Sequence, residues 1–219
     1  MAETATIATR STPQRTSRWW WPAALLALGV AGYSLRYIIA GEAAFVPELA
    51  DSFRARIVPL LIHTTFGPIA LVLGIMNLLP AMRRRRWALH RLLGRIYMIS
   101  GLTLGIAGGY LAFFAAGGTF ARLGFLFLAV GTVLTIVFGY RSIRRRNIIE
   151  HREWMLRSYS LIFGAVMLRI WLPLLIIAHG GEFIPAYRIV AWLAWVPNIL
   201  LVEWLIRRGW RPAYEHVTL

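Results

Sequence analysis

Residues 57–79 read IVPLLIHTTFGPIALVLGIMNLL and carry no acidic or arginine side chain. A run of about 20 apolar residues is long enough to cross a bilayer as a helix. The apolar residues are continuous rather than alternating, which is typical of a membrane helix and not of a strand in a membrane barrel. The stretch therefore predicts a transmembrane helix.

Five further runs of this kind accompany it, and hydrophobic residues make up 58% of the 219 residues. This fraction is too high for a water-soluble domain. We therefore predict an all-α fold, a bundle of six transmembrane helices with a core formed by the second to fifth. The six predicted helices comprise residues 19–40, 57–79, 96–116, 120–140, 155–178 and 187–206.

Both ends of the chain are polar. Residues 1–18, rich in Thr, Ser and Arg, predict a disordered cytoplasmic tail, and residues 207–219 predict a second tail. The first apolar run is longer than the roughly 7–15 residues of a signal-peptide core, so we expect a retained helix. One transmembrane domain, residues 19–206, thus lies between two tails.

Arginine is distributed unevenly between the two sides of the predicted bundle. Eighteen arginines fall in the two tails and in the connections after the second and fourth helices, against five on the other side. Cytoplasmic loops carry the excess of positive charge, so both termini are predicted to be cytoplasmic. The same rule, with attraction to anionic lipids, accounts for the net charge of +15, and no nucleic-acid partner is implied.

Two matched polar elements lie where an arginine-rich connection enters a predicted helix. They read HRLLGRIY, residues 90–97, and HREWMLRSY, residues 151–159. Two imidazoles at one depth, on helices that run the same way, would hold a metal or a haem iron, or help to bind an anionic headgroup. The candidates are His90 and His151 as iron ligands, and Arg91, Arg95, Arg152 and Arg157 for anionic groups.

The third predicted helix has a face with little side-chain bulk. At about 100° per residue, one line of this helix contains His90, Gly94, Tyr97, Gly101 and Gly108. Such a face serves either close packing between helices or a flat cofactor, such as a porphyrin, in a groove beneath His90. The two interpretations are compatible along one helix.

The fifth predicted helix carries an arginine inside its apolar run. Asn147 and Glu150 resemble a capping box, so the helix is expected to begin near residue 147, with His151 already helical. Arg169 lies on the face of His151, about 27 Å further along. An arginine at this depth marks a function or a specific partner. It would either neutralise an anion, such as a carboxylate or haem propionate, or pin the helix by bonding carbonyls.

Two other histidines lie toward the predicted outer side. His63 is about two turns inside the second helix, and His179 lies at the outer end of the fifth. A histidine inside lipid is uncommon, so His63 is a candidate ligand or hydrogen-bonded pin. With His179 it would form a second, outer pair.

Cysteine is absent, which excludes disulfides, thiol catalysis and iron–sulfur clusters. Glu150 and Glu153 beside His151 leave a hydrolytic metal site open. Proton-coupled transport usually relies on intramembrane carboxylates, and the candidates here are Glu182 and Glu203. These chemistries remain alternatives to a haem or a lipid site.

Together these residues resemble a known family, the bacterial multi-pass membrane proteins catalogued as domain of unknown function 2306. The resemblance covers about residues 57–180. The family has no assigned activity. It implies a protein of the bacterial cytoplasmic membrane in which His63, His90, His151 and Arg169 act together. The residues that carry it are His63, Gly67, Gly74, His90, Arg91, Gly94, Arg95, Tyr97, HREWMLRSY and LRIWLPLL at 168–175.

More remotely, the arrangement is similar to ascorbate-reducible transmembrane b-type cytochromes, whose core histidines hold two haems. This similarity implies haem b as the cofactor. The fourth predicted helix lacks a histidine, and His151 and His179 share the fifth. The similarity therefore implies one haem, held by His90 and His151, more readily than two.

Three functions follow as hypotheses. The first is a haem-b membrane protein that passes electrons to or from a quinone or a small reductant. The second is a non-catalytic membrane protein that binds anionic lipid headgroups or braces a membrane assembly. The third is a metal-dependent membrane hydrolase or a transporter.

Overall fold

The computed structural model describes residues 20–209, and the regular structure within that range is helical. The predicted tail at 1–18 lies outside it, as does most of the tail at 207–219. Two short 3-10 helices, Gly41–Ala44 and Pro47–Leu49, precede the third α-helix. The α-helices are α1 (Trp20–Ser34), α2 (Arg36–Ile39), α3 (Ala50–Arg54), α4 (Ile57–Asn77), α5 (Pro80–Arg85), α6 (Trp87–Ala112), α7 (Gly118–Arg144), α8 (Ile148–Ile162), α9 (Gly164–Ala178), α10 (Phe183–Leu193) and α11 (Val196–Arg207).

Six helical segments of the described chain are long and apolar enough to cross a membrane. Three of these spans are single helices, α4, α6 and α7. The other three each join two helices: α1 with α2, α8 with α9, and α10 with α11. The prediction of an all-α fold with six spans is confirmed, and the chain is an integral membrane protein. The spans are Trp20–Ile39, Ile57–Asn77, Trp87–Ala112, Gly118–Arg144, Ile148–Ala178 and Phe183–Arg207.

The third and fifth spans begin earlier than the apolar runs that predicted them. α6 begins at Trp87 rather than at residue 96, and α8 begins at Ile148 rather than at residue 155. Hydropathy marks only the part of a helix that lies in lipid. Arginine and leucine are good helix formers, so the helices continue beyond it. His90 and His151 therefore each lie in the first turn of a helix.

Four spans form a closed core. α4 packs against α6, α6 against α7, and α7 against α8, and contact between α4 and α8 completes the ring. α1 packs on α4 and α9, α10 packs on α7 and α9, and α11 packs on α8. The core consists of the second to fifth spans, as predicted.

Glycines allow the core helices to approach closely. A Cβ atom at Gly74 of α4 would collide with the ring of Tyr159 and lie 2.8 Å from Cε2 of Tyr97. A Cβ atom at Gly105 of α6 would lie 2.7 Å from Cγ2 of Val133 in α7. Small residues bring helix backbones together in lipid, where the hydrophobic effect does not drive helices to associate. Part of the glycine face of α6 therefore serves helix packing.

The bundle has two distinct ends. The arginine-rich end contains α5 and the first turns of α6 and α8. The loop end contains residues 41–56, with their short helices, and residues 113–117. The excess of arginine predicts that the first of these ends faces the cytoplasm.

Candidate functional site

The inner pair, His90 and His151, lies at the arginine-rich end. Both side chains are partly buried, and they are close enough to interact electrostatically. One belongs to α6 and the other to α8. The fold thus brings two imidazoles from different helices into one region.

The local sequence positions His151. Asn147 caps α8, because its Oδ1 accepts a hydrogen bond from the backbone N–H of Glu150 at 3.1 Å. The predicted helix start is therefore confirmed. One turn further on, Nδ1 of His151 donates to the carbonyl oxygen of Gly139 in α7 at 2.7 Å. A carbonyl only accepts, so the neutral ring carries its proton on Nδ1 and leaves a lone pair on Nε2.

His90 is held by an aromatic neighbour. Its ring stacks on that of Trp87, with centroids 5.5 Å apart and planes inclined by 27°. Nδ1 of His90 is buried and has no hydrogen-bond partner. Such buried polar atoms are rare in proteins, since each one costs free energy of desolvation. His90 therefore keeps an unused ring nitrogen in the interior, near His151.

Two more side chains of this half of the core have unsatisfied polar atoms. Both amide atoms of Asn77, at the end of α4, and the hydroxyl of Tyr159, in α8, are buried without a partner. The hydroxyl of Tyr97, by contrast, bonds that of Ser158 at 2.7 Å. This half of the core thus holds more polar atoms than its own hydrogen bonds satisfy, which calls for an explanation such as a bound polar group.

The arginines of the matched elements have different surroundings. Arg91 and Arg95 are exposed, and Arg152 is partly buried. The sequence predicts that Arg157 receives an anionic group. In the structure its Nε donates to the Glu203 carboxylate of the same chain at 2.9 Å. Arg157 therefore ties α8 to α11 through an ion pair within the chain.

The glycines of the predicted groove have different neighbours. Nothing lies within 4 Å of the Cβ position at Gly94, in the second turn of α6. At Gly101 the same space is filled by the side chain of Ile136 from α7. Helix packing therefore occupies the groove at Gly101 and leaves it open at Gly94.

A second site lies at the loop end. A cavity of about 250 Å³ extends between α4, α6, α7 and α9, and the segment that holds Ser52 and Phe53 lines one side of it. The other lining residues are mostly apolar, but they include His63 and Arg169. These two side chains also interact electrostatically. We call this space the outer cavity.

Arg169 is fixed at the outer cavity by two hydrogen bonds. Its Nη1 donates to the carbonyl oxygen of Ala165 at 2.9 Å, and its Nη2 donates to Oγ of Ser34 at 3.0 Å. Its Nε is buried without a partner. The guanidinium carbon lies 5.8 Å from the ring centre of Tyr33. The side chain therefore both bonds a main-chain carbonyl and faces a cavity, which combines the two interpretations of this arginine.

His63 is seated against α6. Its Nδ1 donates to the carbonyl oxygen of Leu104 at 3.3 Å. A Cβ atom at Gly108 would lie 3.0 Å from the imidazole, so only a glycine leaves this space free. His179 bonds the carbonyl of Leu175 in its own helix at 2.8 Å and does not line the outer cavity. The structure thus places Arg169, and not His179, beside His63.

The acidic side chains near His151, which could belong to a hydrolytic metal site, interact with other side chains of the protein. Glu150 accepts hydrogen bonds from Asn147 at 3.1 Å and from the indole of Trp154 at 3.2 Å. Glu153 lies 3.8 Å from the guanidinium of Arg157. Within residues 20–209, no group of three or more His, Asp or Glu side chains is arranged to hold a metal ion.

The four residues that were expected to act together form two separate pairs. Gly108, which seats His63, is about 27 Å from His90 along α6 at 1.5 Å per residue. The sequence did not reveal the outer cavity or the bond from Arg169 to Ser34, because both join helices far apart in the chain. Gly108 was the one sequence feature that could have indicated the position of His63. Its role, however, depends on which helix lies against it.

The family model described as "Predicted membrane protein (DUF2306)" matches residues 60–206. No curated protein and no solved structure matches the chain. The matched region covers more than half of the chain and contains both histidine sites. The protein therefore belongs to the DUF2306 family of membrane proteins.

Proposed function

We propose that the protein is a haem-b redox protein of the bacterial cytoplasmic membrane, with His90 and His151 as the two iron ligands. The observation that carries this proposal is that two partly buried imidazoles, one from α6 and one from α8, lie within electrostatic range of each other. A pair of histidines is sufficient to hold a haem iron, whereas metal hydrolysis needs a richer ligand set.

The hydrogen bond of His151 suits a metal ligand. Histidines that bind metals usually donate their second ring N–H to a carbonyl or a carboxylate, which fixes the orientation and the tautomer. The bond of 2.7 Å from Nδ1 to Gly139 meets this requirement and leaves Nε2 as the free donor atom. The ring of His151 is therefore held in one orientation in which Nε2 would be available to a metal.

The surroundings also fit a charged cofactor with polar edges. His90, Asn77 and Tyr159 contribute buried polar atoms that the protein itself does not satisfy. Arg91 and Arg95 are exposed on the same end, where they would receive anionic propionate groups. The open space beside Gly94 lies one turn from His90.

Haem b, when bound, supplies a one-electron carrier within the membrane. The side chains of this protein would hold the haem, determine how strongly the histidines bind the iron, and limit the access of water to it. A quinone or a small reductant is the partner class that suits a one-electron carrier in lipid. Such a role fits the six-span architecture, which has no soluble catalytic domain in its described part.

The visible spectrum tests this proposal. The protein is expressed with added haem precursor, purified in mild detergent, and measured before and after dithionite. We expect a Soret band and an α-band that sharpens on reduction. A protein without haem absorbance after such expression would overturn the proposal.

Ligand variants identify the histidines. His90→Ala and His151→Ala should each remove or strongly reduce the haem signal, whereas His179→Ala, which changes a ring bonded within its own helix, should keep it. If an alanine variant does not fold, His151→Met replaces it. Methionine can also bind haem iron, so this variant should keep haem but shift its visible spectrum and its reduction potential. Unchanged spectra in the variants at 90 and 151 would contradict the assignment.

The exposure of Arg91 and Arg95 favours a second function, the binding of anionic lipid headgroups at the arginine-rich end. Co-purification of phosphatidylglycerol should then fall in the double variant Arg91→Gln/Arg95→Gln and at high salt. Arg54→Gln, at the loop end, is the matched control. Equal lipid retention in all three proteins would contradict this function.

A further inference from the structure

The outer cavity contains a cation without a matching acid. Arg169 donates to a carbonyl and to a hydroxyl, and its Nε has no partner. No ion pair in the described part of the chain joins Arg169 to a carboxylate. A buried charge is costly unless an opposite charge compensates it.

A second arginine near Arg169 adds positive charge to this region. Arg36 lies within electrostatic range of Arg169 and stacks its guanidinium 4.1 Å from the ring centre of Tyr33. Two acidic side chains that follow Arg36 in the chain, Glu42 and Asp51, already pair with Arg54. The local charge therefore favours an anion over a neutral ligand.

The cavity walls define the rest of the ligand. They consist mostly of leucine, phenylalanine, alanine and glycine residues from several helices, including Leu60, Leu111, Phe125 and Leu128. The volume of about 250 Å³ is below the usual range for drug-sized ligands, which begins near 300 Å³. A porphyrin is too large for this space, whereas an acid with a short apolar body fits it.

We propose that the outer cavity binds a small amphiphilic carboxylate, with its carboxylate on Arg169 and its apolar body among the leucine and phenylalanine side chains. An arginine fork suits a carboxylate because two parallel N–H groups meet two oxygens. His63 lines the same space, and its Nε2 carries a lone pair because Nδ1 donates to Leu104, so the imidazole packs beside the ligand without bonding its carboxylate. The site thus has one charged contact, at Arg169, and a mostly apolar wall. It is distinct from the inner pair, and its ligand does not depend on haem.

Octanoate is the probe for this site, and octanol is its neutral match. Binding is measured by calorimetry with the full chain in nanodiscs of phosphatidylcholine. We expect saturable binding of octanoate at one site, and weaker binding of octanol by at least about tenfold, since octanol lacks the charge that Arg169 compensates. Equal affinity for the two probes in the wild-type protein would overturn the proposal without any variant.

Variants then assign the binding to Arg169. Arg169→Gln should lower octanoate affinity by at least about tenfold, and Arg169→Lys should retain part of it because the charge remains. Arg188→Gln, at an exposed arginine of α10 that bonds the carbonyl of Gly117, is the matched control and should bind like wild type. Unchanged octanoate binding in Arg169→Gln would contradict the proposal. Displacement of octanoate by the neutral quinone menadione at equal concentration would also contradict it.

Discussion

The hydroxyl groups of Tyr97 and Ser158 lie 2.7 Å apart and join α6 to α8 inside the bundle. Both residues belong to the matched elements that begin with His90 and His151. Tyr97 and Ser158 are buried, so water does not compete for this bond. The bond holds together the two helices that carry the inner pair.

This contact predicts a measurable coupling between two side chains. Tyr97→Phe and Ser158→Ala should each lower the free energy of unfolding, and the double variant should lose less than their sum. Double-mutant cycles for hydrogen bonds between membrane helices average about 0.6 kcal/mol, which is the coupling expected here. Unfolding in mixed micelles, by titration with sodium dodecyl sulfate, measures it. Strict additivity would show that the bond contributes nothing.

Two glycines offer a matched test of core packing. Gly74→Ala places a methyl group against the rings of Tyr159 and Tyr97 and should cost about 2 kcal/mol of stability. Gly94→Ala enters open space in a helix, so it should be neutral or stabilise the protein by up to about 1 kcal/mol. Thermal unfolding in detergent compares the two. A Gly74→Ala protein as stable as Gly94→Ala would contradict the described packing of α4.

The ion pair between Arg157 and Glu203 should matter more than a surface pair. The two side chains are only 16% and 33% exposed, whereas Arg54 and Glu42 are 52% and 63% exposed. Glu203→Gln leaves the Arg157 charge partly uncompensated and should cost about 1–2 kcal/mol, between the values for exposed and buried pairs. Glu42→Gln should cost less than about 1 kcal/mol. Unfolding by titration with sodium dodecyl sulfate measures the stability of both variants. Equal losses of stability in the two variants would contradict this difference.

Gly108 should control the outer cavity through His63. A methyl group at Gly108 would lie 3.0 Å from the imidazole, so Gly108→Ala should displace the ring and weaken octanoate binding. Gly109→Ala meets only Ala129, at an ordinary 3.5 Å, and serves as the control. Calorimetry in nanodiscs compares the two variants. Wild-type affinity in Gly108→Ala would show that the position of His63 does not affect the site.

Local features of this chain could be predicted from the sequence, because their causes lie within a few residues. The apolar run at 57–79 led to α4, and Asn147 with Glu150 led to the start of α8. The start of α6 was placed too late, since hydropathy does not register helical turns that contain arginine outside lipid. Hydropathy indicates which residues lie in the membrane, whereas the ends of a helix depend on helix propensity as well.

Contacts between distant helices could not be predicted in the same way. Arg169 was recognised as exceptional, but Ser34, its partner in α1, had no distinguishing pattern. The sequence around Arg157 is typical of an anion-binding residue, but it does not indicate that Glu203 of α11 lies beside it. The position of a residue in the sequence determines which face of its own helix it lies on. Which other helix it contacts depends on the packing of the whole bundle.

The central claim is that His90 and His151 together would hold one haem iron. Low-temperature electron paramagnetic resonance of the oxidised protein tests it most directly, because two imidazole ligands give low-spin ferric iron. The account predicts a low-spin signal in wild type and in His63→Ala, and its loss or conversion to high-spin iron in His90→Ala and in His151→Ala. A low-spin signal that survives in both of the latter variants, or depends on His63, would contradict the claim.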